Sequence, residues 1–173
     1  IKLKGYLIDF KKINNYEPKI KGDVFFSVLG TTKKDAGSKE AQYKVDYTYQ
    51  YEFAKVAFKN DVKSFVLVSS IGANHNSSLF YPKIKGELEE SIKKLNFKNL
   101  HIFQPPMLIR QPDKIRKVEK NGIRIINKLN ALGLFKSQQP ISVNLLAKKL
   151  IKVCNNQSEK SITTYLPREI FKL

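Results

Sequence analysis

Short apolar runs alternate along the chain with longer segments in which apolar residues recur every three or four positions. The runs at residues 6–8, 23–29, 64–68 and 100–103 are mostly apolar on both faces, and residues 162–166 are a candidate for a final short strand. Strands that are apolar on both faces are typical of a parallel sheet that helices cover on its two sides. We therefore predict a strand at each of these positions.

The segments between these runs have the periodicity of helices. One apolar stripe covers residues 43–58 and a second covers residues 81–95, where Pro82 suits a first helical turn. Helices are also predicted at 114–132 and at 142–153, the last of them capped by the serine at its start. Alternating strands and helices predict an α/β fold with a doubly wound, mostly parallel sheet.

Composition narrows the classes of protein that fit this pattern. The 173 residues, 42% of them hydrophobic, suit one folded domain. No stretch approaches the ~18 to 20 apolar residues of a membrane span, so no membrane partner is expected. A single cysteine, Cys154, excludes an intrachain disulfide and a cysteine-based zinc site, and the two histidines do not suggest a metal site. With no recognisable signal peptide, the expected location is cytoplasmic.

The net charge of +17 raises the question of nucleic-acid binding. All but four of the 32 basic residues are lysines, and they are spread along the whole chain. A dedicated nucleic-acid surface would concentrate its charge and would use arginine for bidentate contacts. The charge pattern therefore argues against specific nucleic-acid binding.

Polar and turn-forming residues follow four of the predicted strands. They are Asp9 and Phe10; Gly30, Thr31 and Thr32; Ser69 and Ser70; and Gln104 and Pro105. Each group alone suits an ordinary turn. In an open α/β sheet, however, ligands bind outside the carboxyl ends of the strands, so that together these groups predict a binding site at one edge of the sheet.

Tyr81 and Lys85 are the sharpest candidates for chemistry. They are four residues apart on a predicted helix and therefore share one face. A nearby ammonium group is expected to lower the pKa of a tyrosine, which could then exchange a proton with a carbonyl or alcohol oxygen. The same spacing recurs at Tyr51 and Lys55, but Tyr51 belongs to an apolar stripe and is predicted to be a core residue.

Several stretches in this order resemble the short-chain dehydrogenase/reductase superfamily. The resemblance is strongest to its atypical NAD(P)H-binding branch, which includes the HIV-Tat-interacting oxidoreductase. It covers roughly residues 1–110 and continues more loosely to the end. The matching stretches are 7–10, 28–32, 45–46, 68–73, 77–81, 85–89 and 103–105.

The resemblance implies a Rossmann-type domain over residues 1–173, to which residues from about 111 to 173 contribute a small substrate-side region. It implies that Tyr81 is the general acid/base, that Lys85 tunes it and binds the nicotinamide ribose, and that Ser70, or its neighbour Ser69, orients the substrate oxygen.

The resemblance also implies the residues that bind the cofactor, NADP or NAD. Asp9 and Phe10 would flank the adenine, and Pro105 would contact the nicotinamide end. The remaining implied cofactor-binding residues are Gly30, Thr31, Thr32 and Ser69, together with Lys85.

Two features depart from the family's pattern. The glycine-rich turn that holds the pyrophosphate is absent, since no glycines have its spacing. We expect an N-terminal βαβ unit of ~40 to 50 residues to be missing from the given chain. Pro106 stands where relatives usually carry glycine, which would change the backbone contact to the nicotinamide.

The leading hypothesis is an NAD(P)(H)-dependent oxidoreductase that transfers a hydride while a tyrosine handles the proton. The alternatives are a sugar-nucleotide epimerase or dehydratase of the same superfamily, and an NAD(P)H-sensing or protein-binding regulatory module without turnover. The expected partners are a dinucleotide and an unidentified small molecule, and a homodimer is one option for the assembly. For Asp46 we predict only local capping or pairing and no part in the chemistry.

Overall fold

A parallel sheet is the centre of the structure, a computed structural model that describes residues 3–109, 139–155 and 161–173. Its strands are β1 (Val24–Ser27), β2 (Ser64–Val68), β3 (Asn99–Phe103) and β6 (Ile162–Tyr165). Their order in the sheet is β1-β2-β3-β6, and every pairing is parallel. Two shorter parallel strands, β4 (Leu108–Ile109) and β5 (Ile141–Ser142), pair with each other.

Helices connect the strands. They are a 3-10 helix (Phe10–Lys19), α1 (Lys33–Ala36), α2 (Lys39–Tyr43), a π-helical segment (Lys44–Thr48), α3 (Tyr49–Lys59), α4 (Phe80–Lys93), α5 (Val143–Asn155) and α6 (Pro167–Lys172). Segment α2, the π turn and α3 follow one another without a break. The predicted helix at 114–132 lies outside the described residues.

Each face of the sheet is buried against helices, as the apolar strands predict. Phe65 and Leu67 of β2 pack in one core cluster with Leu88 of α4. Val66 of β2 points to the other face and packs in a second cluster with Leu150 of α5. Successive side chains of a strand point to opposite faces, so this alternation requires a core on both sides. The prediction of a doubly wound α/β fold is confirmed.

Most predicted elements are present with small changes at their ends. Strands β2, β3 and β6 and helices α3, α4 and α5 lie where the apolar patterns place them. The Oγ atom of Ser142 accepts a hydrogen bond from the backbone N–H of Leu145 at 3.2 Å, which confirms the predicted cap. The short helix α6 and the β4–β5 pair were not predicted.

The predicted strand at residues 6–8 is wrong. These residues have no regular secondary structure, and Leu7 is 99% exposed. The Asp9 carboxylate accepts a hydrogen bond from the Lys11 backbone N–H at 2.9 Å, which starts the 3-10 helix directly after this segment. Among the described residues, β1 pairs only with β2, so that residues 6–8 have no strand beside them.

Two leucine substitutions test this placement. Leu67→Ala should lower the free energy of unfolding by about 2–5 kcal/mol, because it empties a fully buried position. Leu7→Ala should change it by less than about 0.5 kcal/mol, because the side chain is already in solvent. Urea unfolding of both variants measures the two values. A cost for Leu7→Ala similar to that of Leu67→Ala would show that residues 6–8 are buried.

Candidate functional site

A pocket of about 730 Å³ opens where strands β1, β2 and β3 end. Its position is the one expected for ligand binding in a parallel α/β sheet. It brings together most of the residues that the sequence singled out. The predicted residues that line it are Gly30, Thr31, Thr32, Ser69, Ser70, Tyr81, Lys85 and Pro105.

Two predicted cofactor residues lie outside the lining of this pocket. Asp9 caps the 3-10 helix, and Phe10 stacks on the ring of Tyr49 with 5.2 Å between ring centroids. Both residues therefore serve the packing of the N-terminal segment against α3. Their contact with an adenine ring stays a prediction.

Tyr81 lies at the start of helix α4 and faces the pocket with 38% of its surface exposed. Burial raises the pKa of Tyr81, the negative charge of Asp46 raises it further, and a hydrogen bond with Ser70 lowers it. The expected lowering of this pKa by Lys85 was therefore wrong. The phenol therefore keeps its proton at neutral pH and holds it more tightly than a free tyrosine does.

The side chain of Lys85 is almost completely buried, with 2% exposed. Its Nζ atom lies 3.9 Å from Oδ1 of Asp46, which has no exposed surface. Burial lowers the pKa of Lys85, while the carboxylates of Asp46 and Glu89 oppose that effect. Asp46 is thus the charge partner of the candidate catalytic lysine, although only a local role was predicted for it.

Asp46 reaches this position because it belongs to the π-helical segment. A π turn inserts an extra residue into a helix and is frequent at functional sites. The second carboxylate oxygen of Asp46 accepts a hydrogen bond from the backbone N–H of Thr31 at 3.4 Å, and Gln42 donates to the carbonyl of Thr31 at 3.5 Å. Asp46 therefore connects the loop after β1 to Lys85.

The two adjacent serines have different surroundings. The hydroxyl of Ser69 is buried and donates a hydrogen bond to Glu89, whose carboxylate also accepts from the Gln104 amide. Ser70 is half-buried and lies beside Tyr81. Ser70 is therefore the serine that is available to a substrate oxygen. Glu89 follows Lys85 by four residues, and this helical spacing was a signal that sequence reasoning missed.

The loop after β2 packs directly on helix α4 at Gly86. A Cβ atom on Gly86 would lie 2.2 Å from the backbone nitrogen of His75 and 2.4 Å from the carbonyl carbon of Asn74. The Asn74 N–H also donates to the carbonyl of Pro82 at 3.0 Å. Only glycine permits this approach, which brings the loop that begins at Ser70 close to Tyr81.

Comparison with solved structures shows the fold. UDP-glucose 4-epimerase from Thermotoga maritima matches with a TM-score of 0.65 at 11% identity, over 96% of this chain and 65% of that chain. The heptose epimerase ADP-L-glycero-D-manno-heptose-6-epimerase of Helicobacter pylori gives 0.65 at 13% identity, over 95% and 62%. The enzyme WbmG of Bordetella bronchiseptica, solved with NAD, gives 0.60 at 10% identity, over 94% and 59%. The chain has a Rossmann-type fold.

Sequence relatives give the family. Protein FMP52-1, mitochondrial, of Scheffersomyces stipitis is 34% identical over 154 residues, which cover 86% of this chain and 68% of that protein. Protein FMP52, mitochondrial, of Debaryomyces hansenii is 48% identical over 90 residues, which cover 52% and 40%. The chain belongs to the family of FMP52 proteins. It spans between two fifths and about two thirds of these relatives, and no family model matches it.

The predicted cytoplasmic location is wrong, because the curated relatives are named as mitochondrial proteins. That prediction rested on the lack of a recognisable signal peptide, which does not identify a compartment. Within residues 3–109, 139–155 and 161–173, no helix has the length and hydropathy to cross a membrane. The same residues hold no cluster of three metal-ligating side chains.

Replacing Asp46 tests its partnership with Lys85. We expect Asp46→Asn to lower the pKa of Lys85 further below the ordinary value for lysine, because one of the two carboxylates that favour its charged form is lost. The measurement is a pH titration of the Lys85 Cε resonance by NMR in lysine-labelled protein. Asp61→Asn makes the same chemical change at an exposed position and should leave the titration unaltered. An identical Lys85 titration in wild type and Asp46→Asn would contradict the pairing.

Proposed function

We propose that this protein is an NAD(P)(H)-dependent oxidoreductase of the short-chain dehydrogenase/reductase type, belonging with the atypical NAD(P)H-binding branch. The observation that carries the proposal is the meeting of Ser70, Tyr81 and Lys85 in one pocket at the carboxyl edge of a parallel sheet. Ser70 follows strand β2, and Tyr81 and Lys85 lie on helix α4, so that two separate parts of the chain meet in the pocket.

The residues of the pocket suit a dinucleotide. Gly30 presents bare backbone at the end of β1, and a Cβ atom there would lie 3.3 Å from the Oδ1 atom of Asp46. The pocket volume of about 730 Å³ is within the ~300–1,000 Å³ that cofactor and small-molecule sites occupy. Thr31 and Thr32 would line the ribose and phosphates, Lys85 would bind the nicotinamide ribose, and Pro105 would contact the nicotinamide end. WbmG, of the same fold, was solved with NAD.

The bound nicotinamide would supply or accept the hydride. The chain's own residues would control the proton. Tyr81 carries its proton at neutral pH and would donate it to the oxygen of a carbonyl that becomes an alcohol. The Ser70 hydroxyl would hydrogen-bond the same oxygen and hold it beside the phenol.

A mitochondrial location is part of this proposal, supported by the names of the FMP52 relatives. Fractionation of cells that express the full gene product with a small tag measures it. Recovery with mitochondrial markers is the expected result, and recovery in the cytosolic fraction alone would refute the location.

A sugar-nucleotide epimerase is the second candidate, because two of the similar solved structures are epimerases of nucleotide sugars. The two activities differ in whether they consume the cofactor. A reductase consumes one reduced nicotinamide for each product, whereas an epimerase returns its cofactor unchanged. Incubation with UDP-sugars and with a panel of aldehydes and ketones, followed by both cofactor absorbance and product chromatography, separates them.

A regulatory module without turnover is the third hypothesis, and a pair of tyrosine variants distinguishes it from an enzyme. Tyr81→Phe should lower turnover by at least about 10²-fold, because the proton donor is removed, while cofactor affinity stays near the wild-type value. Tyr51→Phe is the matched control, since Tyr51 precedes Lys55 by the same spacing but does not line the pocket. Steady-state kinetics and cofactor titration measure both effects. Turnover that survives in Tyr81→Phe would refute the assigned proton donor.

A further inference from the structure

The carboxylate of Glu89 is the buried acidic group for which the proposed reaction has no use. Glu89 lies on α4, one turn after Lys85, and only 4% of its surface is exposed. Unlike Lys85, it does not line the pocket, so it would not meet a substrate there. A buried carboxylate is costly unless hydrogen bonds and charges compensate for its lost hydration, so its partners show what it does.

Its hydrogen bonds join three elements of the fold. Glu89 accepts one from the hydroxyl of Ser69, at the end of β2, and the amide nitrogen of Gln104, after β3, lies 3.1 Å from each carboxylate oxygen. Both donors are themselves buried. A carboxylate only accepts hydrogen bonds, whereas a hydroxyl and an amide NH₂ donate them, so that the three groups are complementary.

The residues that follow these two donors line the candidate active site. Ser70 comes directly after Ser69, and Pro105 comes directly after Gln104. The backbone N–H of Ile71 donates to the carbonyl of Pro105 at 3.1 Å, which joins the two strand ends to each other. Glu89 fastens this pair of strand ends to the helix that carries Tyr81 and Lys85.

We propose that Glu89, together with Ser69 and Gln104, is a positioning clamp that holds Ser70 and Pro105 in register with Tyr81 and Lys85. The role in the reaction rests on the proposed oxidoreductase function. Reacting groups have to be held within a fraction of an ångström, and these site residues come from three separate elements. The Glu89 carboxylate on α4 supplies that constraint, because it is hydrogen-bonded to the end of β2 and to the end of β3.

Several groups around Glu89 favour its charged form but do not offset its burial, so that its pKa is raised. Burial raises the pKa of Glu89, and the bonds from Ser69 and Gln104 oppose this, as do the charges of Lys93 and Lys85 on α4. Ser69 on β2 and Gln104 after β3 are the polar groups that face it from the other elements. Glu89 also favours the charged form of Lys85.

An exchange of the two partners tests the clamp in the full gene product. Glu89→Gln removes the negative charge and replaces one of the two acceptor oxygens with an NH₂ donor, whereas Gln104→Glu sets two carboxylates against each other. The double variant restores one carboxylate and one amide at the same volume. Glu90→Gln is the control, because it makes the same change on the adjacent residue, whose carboxylate pairs with Lys93 near the surface.

Hydrogen exchange measures the clamp without any assumption about catalysis. Both single variants should exchange the Ile71 amide faster than wild type, and the double variant should return it toward the wild-type rate. Damage by two unrelated core substitutions would accumulate rather than cancel. Exchange that is unchanged in Glu89→Gln, or a double variant no better than the single ones, would overturn the clamp. If Gln104→Glu does not fold, comparison of Glu89→Gln with the double variant still decides.

Turnover tests the link to the reaction. The single variants should lose up to about 10²-fold in kcat, as expected for a small displacement of reacting groups, and the double variant should recover most of it. A kcat that stays at the wild-type value while exchange rises would show that the clamp only stabilises the fold. If wild-type protein has no turnover that depends on Tyr81, the proposed function fails, and the role of Glu89 in it fails as well. The exchange rates still decide whether the clamp exists.

Discussion

The burial of the Lys85 ammonium group is the constraint on which the rest of the site depends. Only 2% of the side chain is exposed, and an unpaired ammonium in such a position would be strongly unfavourable. The protein meets this constraint with the carboxylate of Asp46 at 3.9 Å and with Glu89 one helical turn away. The two carboxylates thereby oppose the lowering of the Lys85 pKa by burial, beneath a pocket whose walls are mostly apolar residues and loop backbone.

Both carboxylates also have structural partners, so that the chemistry of the site and the geometry of the fold share the same atoms. Asp46 accepts a hydrogen bond from the backbone of Thr31 and so holds the loop after β1. Glu89 accepts hydrogen bonds from Ser69 and Gln104 and so holds the ends of β2 and β3. Each strand end that borders the pocket is thus tied to a group that faces Lys85. Removing one partner from a buried charge pair costs about 3–5 kcal/mol, because the other charge is left without compensation, so the site depends on the presence of both partners.

Much of this architecture could be predicted from the sequence. The apolar runs of β2 and β3 and the stripe of α4 place the sheet edge, and the spacing of Tyr81 and Lys85 places them on one helix face, which borders the pocket. Local sequence patterns predict secondary structure well where both faces of an element are buried, because few other residue patterns suit such a position.

Other features depend on tertiary contacts that no local pattern contains. Residues 6–8 have the composition of a strand, but a strand requires a neighbour, and the described residues provide none. The π turn that aims Asp46 at Lys85 has no sequence signature. The direction of the Tyr81 pKa could not be predicted from spacing either, because it is set by burial and by the charge of Asp46, which both raise it, against a hydrogen bond with Ser70. The mitochondrial location was indicated only by the names of the relatives.

Calorimetric titration of the full gene product with NADPH and with NADH tests the central claim most directly. If the pocket at the carboxyl edge of the sheet is a dinucleotide site, one of the two cofactors should bind in the micromolar range, and moderate salt should weaken the binding only slightly. Binding that disappears as salt is added would show that the +17 net charge merely attracts the phosphate groups. Either that result or the absence of any binding would refute the cofactor site.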